Sequence, residues 1–122
     1  MVPKIETFED LVVWKRAHAL VLEIYRITRD YPKDEKFSLV SQMRRAAVSI
    51  AANIAEGFKK RTLRDKSNFY NISQGSLEEL RYYLILSADL GYLKTNEDLT
   101  VVTEEIGRML NGLIKSMQER RQ

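Results

Sequence analysis

The chain has 122 residues, of which 44% are hydrophobic and 30% are charged, a composition typical of one globular domain. It has no cysteine, which excludes disulfide bonds and thiolate metal sites, and its net charge of +3 is only mildly basic. The apolar runs are far shorter than the roughly 20 residues that cross a membrane, and the first residues lack an apolar signal segment, so we expect a cytoplasmic protein that enters no membrane.

Three similar start signals divide the chain into helices. Thr7-Phe8-Glu9-Asp10, Thr62-Leu63-Arg64-Asp65 and Thr95-Asn96-Glu97-Asp98 each place a threonine three residues before an aspartate. The threonine oxygen can accept a hydrogen bond from an unpaired amide, and the aspartate favours the positive end of the helix. The expected stops are residues 30–34, Gly57 and Gly91. The predicted helices span residues 8–30, 37–58, 63–90 and 96–119.

Each predicted helix carries apolar residues at alternating steps of three and four, the spacing of one buried face. On the second helix these residues are Val40, Met43, Ala47, Ile50 and Ile54. On the fourth they are Leu99, Val102, Ile106, Met109 and Leu113. No segment alternates apolar and polar residues as a strand would. The pattern predicts an all-α, antiparallel up-down-up-down four-helix bundle that forms a single domain over residues 1–122.

Two helices carry a second apolar stripe beside the first. The stripe contains Trp14, Val21 and Tyr25 on the first helix, and Leu110, Ile114 and Met117 on the fourth. A wide core face would explain both stripes, and so would a contact between subunits, because large apolar patches are rarely left exposed. We favour the subunit contact and predict a homo-oligomer.

A polar stripe also runs along the second helix and faces polar residues of the third. Its members are Arg45, Ser49, Asn53 and Glu56, and the third helix presents Ser76 and Glu79. We predict that Arg45 pairs with Glu79 or Glu56, because a guanidinium suits a bidentate carboxylate. Such a pair would fix the helix register more than it would add stability. Arg44 points about 100° away from Arg45 and should have other neighbours.

The sequence lacks the signatures of catalytic and metal sites. A di-metal bundle needs Glu-x-x-His pairs, and the only histidine, His18, has no carboxylate three residues to either side. No serine lies in a strand-turn-helix elbow, and the five glycines are scattered rather than gathered in a phosphate-binding loop. We therefore expect a non-enzymatic protein without a metal or cofactor.

Positive charge is concentrated between the second and third helices and at the C-terminus. The residues concerned are Lys59, Lys60, Arg61, Arg64 and Lys66, followed much later by Arg120 and Arg121. They could be a solvated loop and a tail, or a patch that binds anions beside the amides of a helix N-terminus. We predict contacts with the phosphates of RNA or DNA, led by charge and shape rather than by base identity.

Several motifs together resemble a known family. They are the segments 8–14, 42–50, 53–57, 75–80 and 90–93, and the segment Gln42–Ile50 is the most specific. These segments resemble the four-helix-bundle proteins encoded in intervening sequences of bacterial 23S ribosomal RNA genes. The resemblance covers nearly the whole chain and implies a ring-shaped homo-oligomer, a pentamer.

The resembled family is in turn similar to the accessory variability protein of diversity-generating retroelements, in which a basic pentamer engages nucleic acid and a reverse transcriptase. That similarity implies an RNA- or DNA-associated accessory or scaffold protein. The alternative is an adaptor that binds a protein partner and has no nucleic-acid role, its positive charge being incidental.

Overall fold

The computed structural model describes residues 4–121, apart from the side chain of Arg121. Four helices make up most of this range, namely α1 (Val12–Thr28), α2 (Leu39–Lys59), α3 (Leu63–Asp89) and α4 (Glu97–Arg121). Short 3₁₀ turns at Phe8–Asp10 and Lys33–Glu35 precede α1 and α2. Each helix packs against its sequence neighbour, and α4 closes the bundle against α1. The predicted all-α four-helix architecture is confirmed, and no helix of the described range is long and apolar enough to cross a bilayer.

The first predicted start signal forms a separate turn rather than the first turn of α1. The carboxylate of Asp10 accepts hydrogen bonds from the backbone amides of Glu6 at 2.9 Å and Thr7 at 3.1 Å. These bonds lower the pKa of Asp10 because they stabilise its charged form. Leu11 is extended, so α1 begins at Val12 and is shorter at both ends than the predicted range of residues 8–30.

The other two start signals act at helix ends. The Thr62 hydroxyl accepts a hydrogen bond from the Asp65 amide at 3.1 Å, which is the predicted cap of α3. The Thr95 hydroxyl accepts one from the Glu97 amide at 3.1 Å, where α4 begins. Both bonds satisfy amides that have no partner inside the helix.

The two glycines predicted as stops have different roles. Gly91 follows α3 with a φ of 81°, a left-handed conformation that favours glycine. Gly57 does not end α2, which continues to Lys59, and the prediction of a stop there is wrong. Gly57 is buried, and a Cβ atom at this position would lie 2.8 Å from Cε1 of Tyr70. Glycine is therefore needed for the close approach of α2 and α3.

The core uses the predicted face of α2 but a different face of α4. Val40, Met43, Ala47, Ile50 and Ile54 are all buried. The buried residues of α4 are Thr103, Ile106, Leu110, Ile114 and Met117. The remaining members of the predicted α4 face are only partly buried, namely Leu99, Val102, Met109 and Leu113. The assignment of Leu110, Ile114 and Met117 to a subunit interface is corrected, because these side chains fill the core of their own chain.

The second apolar stripe of α1 lies at the edge of the core. Trp14 and Val21 are partly buried against it, whereas Tyr25 is 41% exposed. The Trp14 ring stacks on His18, with ring centroids 5.0 Å apart, and meets the edge of Phe8 at 4.9 Å. The role of this stripe in a subunit contact stays a prediction.

Candidate nucleic-acid interface

One end of the bundle collects the two basic segments of the chain. Because neighbouring helices are antiparallel, the C-terminus of α2, the N-terminus of α3 and the C-terminus of α4 lie together. We call this the basic end; its cations are Lys59, Lys60, Arg61, Arg64, Lys66 and Arg120. The charge of Arg120 acts on Lys66, where it adds to burial in lowering the pKa of the lysine. The predicted secondary site at Arg120 therefore joins the main one, while the side chain of Arg121 lies outside the described residues.

Lys66 is held by the fold. Its Nζ atom donates hydrogen bonds to the carbonyl oxygens of Phe58 at 2.5 Å and Gly57 at 3.4 Å. The Gly57 carbonyl also accepts the Lys60 amide at 3.2 Å, and Lys66 adds a bond to this carbonyl and to that of Phe58 at the end of α2, where it complements the negative end of the helix. Its Nζ also lies 5.3 Å from the centroid of the Phe58 ring. We therefore remove Lys66 from the predicted phosphate contacts.

The remaining cations of residues 59–66 face solvent, as does Arg120. Lys59, Lys60, Arg61 and Arg64 are exposed, and none of them belongs to an ion pair of the described chain. Lys60 has its Nζ 4.9 Å from the centroid of Phe69, which orients the ammonium group without neutralising it. These four side chains can accept an anion without breaking a contact with a carboxylate.

The N-terminus of α3 adds backbone donors to this charge. The Thr62 hydroxyl accepts a hydrogen bond from the Asp65 amide, and the Lys66 amide donates one to the Thr62 carbonyl at 3.1 Å. Helix geometry leaves the amides of Leu63 and Arg64 without an acceptor inside the helix. A phosphate placed beside Arg61 and Arg64 would therefore meet both positive side chains and amide dipoles.

Carboxylates are also present at the basic end, and most of them lie on other segments or on the preceding turn of α2, where Glu56 is exposed. Glu6, Glu9 and Asp10 belong to the chain before α1, and Glu119 belongs to the last turn of α4. Within residues 59–66 Asp65 is the only carboxylate against five cations. The positive surface is therefore centred on the connection between α2 and α3.

The predicted polar stripe forms hydrogen bonds between α2 and α3 without the predicted ion pair. The hydroxyls of Ser49 and Ser76 are 2.8 Å apart, and Nδ2 of Asn53 donates to the Ser49 carbonyl at 2.8 Å. Arg45 and Glu79 line one groove of about 430 Å³, yet Arg45 forms no ion pair in the described chain.

Each carboxylate proposed as a partner of Arg45 has other surroundings. Glu79 accepts a hydrogen bond from the Tyr83 hydroxyl at 2.6 Å, which raises the pKa of Tyr83 to about 12. Glu56 is exposed on α2 and has no ion-pair partner among residues 4–121. The predicted pairing of Arg45 with Glu79 or Glu56 is therefore corrected.

Of the two adjacent arginines, Arg44 has the structural role. Its Nε donates to the Thr28 hydroxyl at 3.0 Å, and Nη2 donates to the Tyr25 carbonyl at 3.4 Å. The guanidinium carbon lies 4.5 Å from the centroid of the Tyr25 ring. Arg44 thus closes the C-terminus of α1. Sequence spacing does not reveal this contact, because it depends on how α1 lies against α2.

The described side chains offer no arrangement typical of a metal centre. Within residues 4–121 no three His, Cys, Asp or Glu side chains are placed to hold a metal ion together. The geometry of the basic end suits the binding of anions by charge and backbone dipoles.

Two comparisons with known proteins, one of sequence and one of structure, agree on the family. A family model described as 23S rRNA-intervening sequence protein matches residues 9–112. The chain is also similar to a protein of unknown function from the S23 ribosomal protein family of Bacteroides thetaiotaomicron, known from a crystal structure at 1.70 Å. The two are 26% identical with a TM-score of 0.76, and the match covers 85% of this chain and 99% of the other. No curated protein matches the chain.

Proposed function

This chain belongs to the 23S rRNA-intervening sequence protein family, and from that premise we propose that it is a non-enzymatic, homo-oligomeric protein that binds RNA or DNA through its basic end. The observation that carries the proposal is the meeting of two distant basic segments at one end of the bundle. Five exposed cations there, Lys59, Lys60, Arg61, Arg64 and Arg120, have no ion-pair partner in the described chain, and a helix N-terminus lies among them.

The mode of binding follows from the kind of groups present. Lysine, arginine and helix amides all recognise phosphate, and such contacts position a nucleic acid without reading its sequence. Each neutralised phosphate releases counterions, so the affinity should fall linearly with the logarithm of salt concentration. We therefore propose an accessory or scaffold role that depends on charge, with little base specificity.

Self-association would strengthen this surface. Repeated copies of one basic end in a ring raise the effective concentration of phosphate contacts. Exposed apolar side chains outside the basic end support such an assembly, namely Ile72, Tyr82, Ile85 and Val101. Light scattering should give a mass several times that of the 14.2 kDa chain. A monomeric mass at working concentration would contradict the oligomeric part of the proposal.

The test of the basic end is a salt titration of a triple variant. Lys59→Ala, Lys60→Ala and Arg61→Ala together remove three exposed cations and no core contact. Binding of a structured RNA should weaken, and the slope of log affinity against log salt should decrease by about 3, one for each lost phosphate contact. Fluorescence anisotropy at several salt concentrations measures both quantities.

A matched control removes the same charge from the opposite end. Arg29→Ala, Lys33→Ala and Lys94→Ala delete three exposed cations there, and the salt slope should stay near that of the unchanged protein. Equal losses in the two triple variants would show that net charge alone drives binding. If the unchanged protein binds no RNA or DNA even at low salt, the proposal fails and the alternative of a protein adaptor is favoured.

A further inference from the structure

A second surface combines aromatic rings with positive charge, away from the basic end. A groove of about 690 Å³ runs along α2 and the turn before it, from Lys36 to Asn53, beside Tyr25 of α1, and we call it the α1–α2 groove. Its apolar side chains include Val40 and Val48, and the rings of Tyr25 and Phe37 also line it. The cations Lys36, Arg44 and Arg45 complete the lining.

The two rings of the groove are open to solvent. Phe37 is 88% exposed and Tyr25 is 41% exposed, and neither belongs to the buried core. Lys36 lies with its Nζ 5.4 Å from the centroid of Phe37, and Arg44 covers one side of Tyr25 at 4.5 Å. An exposed phenylalanine between a cation and a groove offers an unused face for another flat ring.

The charge of the groove is positive without local compensation. No carboxylate lines it, although three cations do. Of two nearby carboxylates, Glu23 pairs with Arg26, whereas Glu35 accepts the hydroxyls of Ser38 at 2.6 Å and Tyr92 at 2.8 Å, which orient it but leave its negative charge in place. The lining itself holds three positive charges and no negative one.

The two arginines of the groove differ in how firmly they are held. Arg44 is fixed by Thr28 and the Tyr25 carbonyl, which keeps its guanidinium in place before any ligand arrives. Arg45 also borders the groove that contains Glu79, yet it forms no ion pair in the described chain. One cation is therefore pre-positioned and the other can follow a ligand.

We propose that the α1–α2 groove binds a single-stranded segment of RNA or DNA, with bases stacked on Phe37 and Tyr25 and phosphates near the three cations. Stacking platforms beside positive charge are the common means of holding single strands, because every base has a flat face. A duplex keeps its bases stacked inside and cannot present them to these rings. A protein helix could fill the apolar part, but three cations without a carboxylate favour a polyanion.

The inference rests on the proposed nucleic-acid function and adds to it a preference for single strands over duplexes. α2 has 21 residues and is therefore about 30 Å long, with Phe37 just before its start and Lys59 at its end. The basic end would hold phosphates of single strands and duplexes alike. The α1–α2 groove would add affinity only for strands with unpaired bases.

The test compares Phe37→Ala with the unchanged protein on two ligands, an oligouridylate of about 16 nucleotides and an RNA duplex of similar length. Loss of one stacked base should weaken single-strand binding roughly 5- to 100-fold. Duplex binding should change by less than about twofold, since it needs no unpaired base. Phe37→Tyr should restore single-strand binding because it keeps a flat ring.

The matched control is Leu90→Ala, which removes a large apolar side chain that is 49% exposed just after α3, outside the groove and outside the side chains proposed for assembly. It should leave both affinities unchanged. Equal single-strand affinities for Phe37→Ala and the unchanged protein would overturn the inference while duplex binding still upheld the proposed function. A Phe37→Ala variant that changes the oligomeric mass instead would assign the groove to a contact between copies. Failure of both ligands to bind at low salt would overturn the inference and the proposed function together.

Discussion

At both ends of the bundle a cation from the following helix closes the C-terminus of the preceding one. At the basic end Lys66 binds the last carbonyls of α2, and at the opposite end Arg44 binds the Tyr25 carbonyl and Thr28 near the end of α1. The surrounding charge differs. Residues 59–66 hold five cations and one carboxylate, whereas residues 29–36 hold three of each.

This difference shows that the number of cations in a segment overstates the charge available to a ligand. One cation at each end serves the fold, and its removal from the count matters little at the basic end, where five exposed cations remain. Within residues 29–36 at the opposite end the charges are balanced. Excess charge, rather than the presence of lysine and arginine, therefore distinguishes the proposed phosphate-binding end.

The close helix contact at the basic end gives the largest predicted effect on stability. Gly57→Ala places a Cβ atom against the buried Tyr70 ring, so overpacking should cost about 1–3 kcal/mol. Gly75→Ala is the matched control, because a Cβ at that position meets nothing within 4 Å. It should stabilise the helix by about 0.5–1 kcal/mol through backbone entropy. Urea unfolding measures both, and equal effects would refute the role of close packing at Gly57.

Replacing the two helix-closing cations should lower the free energy of unfolding by different amounts. Arg44→Met should cost about 1–2 kcal/mol, since it removes two charge-assisted hydrogen bonds and the contact with the Tyr25 ring. Lys66→Met should cost less than about 1 kcal/mol, because burial and Arg120 already disfavour the charged form and lower the pKa of Lys66. Thermal unfolding of both variants tests this order, and a larger loss for Lys66→Met would reverse the comparison.

The smallest predicted effect on stability concerns two carboxylates, Asp10 in the 3₁₀ turn at the basic end and Glu35 in the 3₁₀ turn at the opposite end. Backbone amides lower the pKa of Asp10 below its ordinary 3.8, and the hydroxyls of Ser38 and Tyr92 lower that of Glu35 below 4.5. Each carboxylate therefore stabilises the fold above its ordinary pKa, and this contribution is lost as pH falls through the lowered value.

Two isosteric variants test that dependence. Asp10→Asn and Glu35→Gln should each unfold at a slightly lower temperature than the unchanged protein at pH 7. The difference from the unchanged protein should shrink as pH falls, because protonation of each carboxyl removes the contribution of its charge. A difference that persists unchanged at pH 2 would assign the effect to packing instead of charge.

The helices themselves were predictable because their signals are local. The apolar spacing of α2 and the cap at Thr62 involve residues within one or two turns, and the structure contains both. The start of α1 was missed because Thr7 and Asp10 can close a 3₁₀ turn as well as a helix. Gly57 was misassigned because glycine serves both at helix ends and at close contacts, and only its neighbour Tyr70 distinguishes the two.

The candidate site was predicted in part. The cations between α2 and α3 are adjacent in the chain, so their grouping was visible in the sequence. The removal of Lys66 from that group and the addition of Arg120 depend on contacts between helices. The α1–α2 groove was not predicted, because Tyr25, Phe37 and Arg45 have no common spacing and meet only when α1 packs on α2.

Local spacing thus specified four amphipathic helices, their approximate order and the place of the strongest charge. Which of two apolar stripes of α4 is buried, and which of two adjacent arginines closes α1, depended on the packing of neighbouring helices. The physical reason is that a helix with two apolar stripes gains similar free energy from burying either one. The rotation of each helix is chosen by the partners it meets, and those partners are distant in the chain.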